Sequence, residues 1–133
     1  MAYNITTPLA GFQGIAITDT TQNHALGTIV TAVDPTYGAG EFIYLKGVAS
    51  TVVGSLVDYD SYLATTALAP ATGGVGSVAV AMSANVASQY GWYQIGGSAV
   101  VKSAAAVANG NVYVTATAGT VDDAVVSGDK IDG

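Results

Sequence analysis

The sequence predicts an all-β fold: a single small sandwich or partly open barrel preceded by an irregular N-terminal arm. Three observations carry that reading. Strand-favouring residues dominate, with 18 Val, 15 Thr, 8 Tyr and 7 Ile against only 6 Leu, 4 Gln, 2 Met and 1 Glu, and β-branched and aromatic side chains suit a pleated, half-buried surface. Short apolar runs recur at similar spacing, separated by Gly- and Asn-rich turns, as in a sandwich or barrel. The length of 133 residues suits one domain. We divide it into an arm over 1–21 and a β-rich domain over 22–133. The 23 Ala and 17 Gly leave many inward positions with little volume, and a thinly filled core invites completion by a neighbouring subunit.

The arm shows no steady period. Pro8, Gly11 and Gly14 interrupt it, while Tyr3, Leu9, Phe12, Ile15 and Ile17 give it something to bury. From Leu26 to Val33 the run LGTIVTAV reads as a strand stopped by Asp34-Pro35, since proline cannot continue a central ladder. After the turn residues Thr36 to Gly40, EFIYLKGV alternates Phe42, Tyr44 and Lys46 against Ile43, Leu45 and Gly47. The two runs form a hairpin. Further strands are expected at Ser55 to Tyr59, Tyr62 to Ala69, Ser77 to Ser83, Tyr90 to Ile95, Ala99 to Lys102, Val112 to Ala118 and Ala124 to Ser127. Helical turns are expected at Ser83 to Gly91, which opens on a cap-type residue and closes on Gly, and at the Ala-rich Ser103 to Ala108.

Composition excludes several functions. Three Lys and no Arg against nine acids give a net charge of −6, which would repel phosphates, so nucleic acid is not an expected partner. With no Cys, disulfides, thiolate catalysis and cysteine zinc sites are out. No apolar run nears the ~18 residues of a membrane helix, and the opening MAYNITTPLAGFQG lacks the basic start of a signal peptide. Synthesis in the cytosol, without a membrane partner, is therefore expected.

The chemistry-bearing residues are sparse. His24 is the single imidazole, between Asn23 and Ala25, with no motif around it; a catalytic His needs an orienting partner, so His24 reads as structural or solvated. Gly73-Gly74-x-Gly76 precedes a strand rather than a helix, the wrong context for a phosphate cradle. The pairs Asp58/Asp60 and Asp122-Asp123, with Asp129 and Asp132, lack the spacing of a calcium loop and read as solvated turns. We expect no catalytic residue, no metal and no cofactor. In YGWYQIGG a strand places Tyr90, Trp92 and Gln94 on one face and Tyr93 on the other. Trp92 and Tyr93 fit either core filling or a subunit interface, and a sugar-stacking platform less well.

The segments GEFIYLKGVAS, VGSLVDYD, GSVAVAMSANVASQYGWYQIGG and NGNVYVTATAG resemble the strand-and-turn style of tailed-phage head decoration (cement) proteins, over about Leu26 to Gly119. The resemblance implies a non-enzymatic virion protein on the capsid exterior. It implies the major capsid protein as partner, and homo-oligomerisation, frequently as a trimer. Some such proteins use an N-terminal segment as a capsid-contacting arm. By that resemblance Tyr3, Leu9, Phe12 and Ile15 become candidate shell contacts, and Trp92 and Tyr93 candidate subunit contacts. A tail or baseplate β-module and a carbohydrate-binding module are the alternatives.

Overall fold

In the computed structural model, residues 3–6, 11–60, 65–67, 77–103, 113–115 and 117–122 are described. Those residues form strands and turns with no helix, so the expected all-β class holds. The strands are β1 (Asn4–Ile5), β2 (Ile29–Asp34), β3 (Gly38–Lys46), β4 (Leu56–Tyr59), β5 (Thr65–Ala67), β6 (Ser77–Ala81), β7 (Tyr90–Gly96), β8 (Tyr113–Val114) and β9 (Val121–Asp122). Seven make one antiparallel sheet in the order β1-β2-β3-β7-β6-β4-β5, and β8 pairs with β9 separately. The order does not return on itself, so among the described residues the sheet is open rather than closed into a barrel. It nevertheless curls. Thr65 Oγ1, on edge strand β5, donates to the Lys46 carbonyl at the end of β3 at 2.7 Å, although three strands separate them in the ladder.

The β2–β3 hairpin lies where its sequence puts it. The register runs from Ile29↔Ile43 to Asp34↔Gly38, leaving Pro35-Thr36-Tyr37 as the loop. Buried Asp34 accepts the N–H groups of Thr36 (2.7 Å) and Tyr37 (3.0 Å) through Oδ1, an Asx-type turn. Gly38 closes the loop at φ +77°, a backbone conformation open to glycine at no steric cost. β3 therefore starts at Gly38, three residues before the run EFIYLK.

Two faces of the sheet are buried, because β3 and β7 lie at its centre. On one face Val30, Ala32, Phe42, Tyr44, Met82 and Trp92 pack with Ile15 from the lead-in. Farther along that face Leu56 and Val80 pack against Val121 of β9. The other face gathers Ile43, Leu45, Val57, Ala79, Ala81 and Tyr93 inside the curl. Edge-proximal β2 is buried on one side alone, its residues alternating exposed and buried from Ile29 to Asp34, the one-sided pattern of an antiparallel sheet facing water.

Several sequence expectations are corrected. No helical turn forms over Ser83 to Gly91: the N–H of Asn85 bonds the Ser83 carbonyl (2.9 Å) and that of Val86 the Ala84 carbonyl (3.0 Å), bonds too short in span for a helix. Ser88 then turns the chain at φ 63°. The Asn85 side chain is instead spent inward, Nδ2 donating to Tyr93 Oη (3.1 Å) and the Leu45 carbonyl (3.4 Å). Ala99 to Lys102 is not a strand either; the Lys102 N–H meets the Gly54 carbonyl at 2.8 Å, and Ser103 makes a single parallel bridge to Val121. Of the other expected elements, Ser103 to Ala108 beyond residue 103 and Ala124 to Ser127 lie outside the described residues.

Candidate functional site

The lead-in is bound to the sheet by one residue above all. Gln13 uses every polar group it has. Its carbonyl accepts the Trp92 indole N–H (2.9 Å), and its Oε1 accepts the Tyr44 hydroxyl (3.0 Å) and Asn23 Nδ2 (2.8 Å). Its Nε2 donates to the carbonyls of Ile17 (2.6 Å) and Tyr90 (3.2 Å), and its backbone N–H donates to His24 Nε2 (2.9 Å). Asp19 reinforces the fastening through backbone bonds in both directions with Tyr90 (2.8 and 3.1 Å). Asp19 Oδ1 accepts the Thr21 N–H and Oδ2 accepts Asn23 Nδ2. The Thr21 bond first and the Asn23 bond second hold its carboxyl below the usual carboxylate range. Burial pushes the Tyr44 hydroxyl up, against the pull of the Asn23 N–H it accepts.

Around this hub sits an aromatic cluster. The His24 ring lies 5.2 Å from Phe12, 5.1 Å from Tyr44 and 5.6 Å from Trp92, centre to centre. His24, expected to be structural or solvated, is half-buried, with its Nε2 in use as an acceptor.

The candidate shell contacts face inward or line a groove. Ile15 is buried in the core at 4% exposure. Phe12 packs edge-on against Trp92 at 6.1 Å. Tyr3 packs edge-on against Phe42 at 4.8 Å and donates its hydroxyl to the Ser98 carbonyl. Leu9 lies outside the described residues. Residues 3–6 are tied to the sheet as β1 and by the Thr6 N–H bond to the Thr31 carbonyl. The candidate subunit contacts Trp92 and Tyr93 are both fully buried by this chain's own residues, on opposite faces of β7. Tyr93 reaches a small polar cluster of Thr51, Thr65 and Asn85, and burial pushes its phenol up. Among the described residues no group of three His, Asp or Glu side chains could hold a metal. Asp58 stands singly in β4, its carboxyl raised by burial with a lesser push from Asp60. Asp123, Asp129 and Asp132 fall outside the described residues.

Among the described residues, exposed apolar side chains gather beside the lead-in and on β2. A groove of about 400 Å³ is lined by Tyr3, Gly14, Ile15, Ala16, Ile17, Val53 and Met82, with Ile17 and Val53 exposed on its rim at 56% and 52%. On the outward side of β2, Ile29 and Val33 are exposed at 55% and 41%. The sequence singled out Ile17 only as part of an apolar lead-in, and nothing in it marked Val53 or the outward side of β2. No protein-family model, curated protein or solved structure matches this chain.

Proposed function

We propose that this protein is a structural module of a virion that binds the outer surface of a phage capsid lattice and stabilises it. Its partner in this reading is the major capsid protein, and it acts as a homo-oligomer. The observation that carries the proposal is the apolar groove beside the N-terminal segment, with the exposed Ile17 and Val53 on its rim. Exposed apolar side chains gathered on one surface mark interaction sites. Tyr3 and Ile15, candidate contacts by resemblance, line its walls, so the shell meets them through the groove rather than along a free arm. A repeated lattice suits modest contacts, since engagement at many sites multiplies weak affinity. The outward side chains Ile29 and Val33 are assigned to contact between copies.

Co-sedimentation with empty expanded phage heads stripped of their surface proteins tests the reading. The wild-type chain is expected to pellet with heads, and Ile17→Asp combined with Val53→Asp to stay in the supernatant while retaining its fold by circular dichroism. A folded wild-type chain that fails to pellet, or a folded double variant that pellets as well as wild type, refutes it. Sedimentation velocity on Ile29→Asp tests the copy contact: the variant is expected to run smaller than wild type, and an unchanged coefficient refutes that assignment.

A further inference from the structure

We propose that the contact between the Gln13 backbone N–H and His24 Nε2 is a pH-sensitive fastener that holds the N-terminal segment on the sheet when His24 is neutral and lets it go when His24 is protonated. The geometry dictates the protonation state. A backbone N–H can only donate, so at 2.9 Å the Nε2 atom facing it must be the unprotonated nitrogen. Protonation makes both ring nitrogens donors, and turning the ring over offers no escape because neither nitrogen then accepts.

Protonation therefore removes the acceptor that the Gln13 N–H uses. The rings of Phe12, Tyr44 and Trp92 surround His24, and the one oxygen among them, Tyr44 Oη, is already engaged by the Asn23 N–H and the Gln13 side chain. Gln13 passes that loss on, because the same residue's carbonyl holds the Trp92 indole and its side chain binds Tyr44, Asn23, Ile17 and Tyr90.

No other group in this cluster changes charge between about pH 5 and 8, the range in which histidines switch. From β3 the facing titratable group is Tyr44, kept neutral by a hydroxyl held above its ordinary value. From β7 it is the phenol of Tyr90, stacked on Tyr44 at 6.4 Å. From the lead-in it is Asp19, whose carboxyl is held low and stays ionised. None of the three Lys (46, 102 and 130) lies in the lead-in.

Amide hydrogen exchange resolved by NMR, corrected for the intrinsic pH dependence, tests the fastener on the whole chain. Between pH 7.5 and 5.5 the Gln13 amide is expected to lose protection on the order of tenfold, the weight of one ordinary hydrogen bond. The Trp92 indole N–H should shift with the same midpoint as the His24 ring protons. In His24→Gln, which cannot titrate, both signals are expected to stay constant across that range. If His24 titrates while the wild-type Gln13 amide keeps its protection, the proposal is overturned, and that readout needs no variant to fold. Equal loss of protection in wild type and His24→Gln overturns it as well.

Discussion

Replacing Gln13 by Ala should loosen the N-terminal segment by a calculable amount. The substitution deletes four side-chain hydrogen bonds and leaves the two backbone ones in place. Two of the four, to the Ile17 carbonyl and from Asn23 Nδ2, are exposed, where water replaces the lost partner and each contributes about 0.5 kcal/mol at most. The other two are partly buried, from the Tyr44 hydroxyl and to the Tyr90 carbonyl. Tyr44 is fully buried, so its hydroxyl loses an acceptor it cannot readily regain from solvent, and each of these bonds is worth about 1 to 1.5 kcal/mol. The total is about 3 kcal/mol. For a chain of this size each kcal/mol moves Tm by roughly 3 to 4 °C, so a fall of about 10 °C is expected in thermal unfolding followed by circular dichroism. Hydrogen exchange should show lost protection concentrated in 11–21. A fall under about 3 °C with unchanged protection would refute the reasoning, because the segment would then be held by its apolar packing and backbone bonds without help from the Gln13 side chain.

Other perturbations probe the remaining packing. A Cβ at Gly47 would stand 2.1 Å from the Asn85 carbonyl oxygen and 2.5 Å from that of Val86, both backbone atoms, so Gly47→Ala should cost about 1 to 3 kcal/mol in urea unfolding; a change below about 0.5 kcal/mol would show that the 83–89 turn yields freely. Tyr93→Phe removes the hydroxyl that accepts Asn85 Nδ2 inside the protein and should cost about 1 to 3 kcal/mol, whereas a neutral result would mean that Asn85 finds a new partner. Asp58 carries a carboxyl raised by burial first and by Asp60 second, so the folded chain binds its proton more tightly than the unfolded chain does. Its contribution is therefore present at low pH and lost as pH rises from the ordinary carboxylate value through the raised one. Asp58→Asn should be the more stable protein at pH 7, by less than about 1 kcal/mol, because the group is only half-buried and solvent screens it. That advantage should shrink below about pH 4, and an advantage that grows on acidification would reverse the sign.

What the sequence made legible was local. The hairpin was readable because Asp34-Pro35 stops one strand and Phe42 to Leu45 restart alternation, and the split of Trp92 from Tyr93 followed from period two alone. Less visible was the role of the first residues. Their apolar spacing suits a partner's surface and the chain's own sheet equally well, and Gln13, the residue that decides between them, has no local signal. Its partners on the sheet lie 31, 77 and 79 positions away. The Ser83 to Gly91 stretch misled for a related reason: a cap residue and a terminal Gly describe a helix only if Asn85 is free, and Asn85 is committed to Tyr93. Nor could alternation on β3 and β7 reveal that both their faces are covered, since that depends on the curl that brings Thr65 to Lys46.

The long reach of Gln13 also orders events in time. Ribosomes deliver the lead-in ahead of the sheet, yet the indole and carbonyl it needs belong to β7, synthesised 77 to 79 residues later. Closing so distant a contact is slow and entropically costly, so a segment made before the strand it needs is among the last to settle. Until β7 emerges, Phe12 and Ile15 travel uncovered, and crowding of nascent chains is when this protein is most open to mispairing.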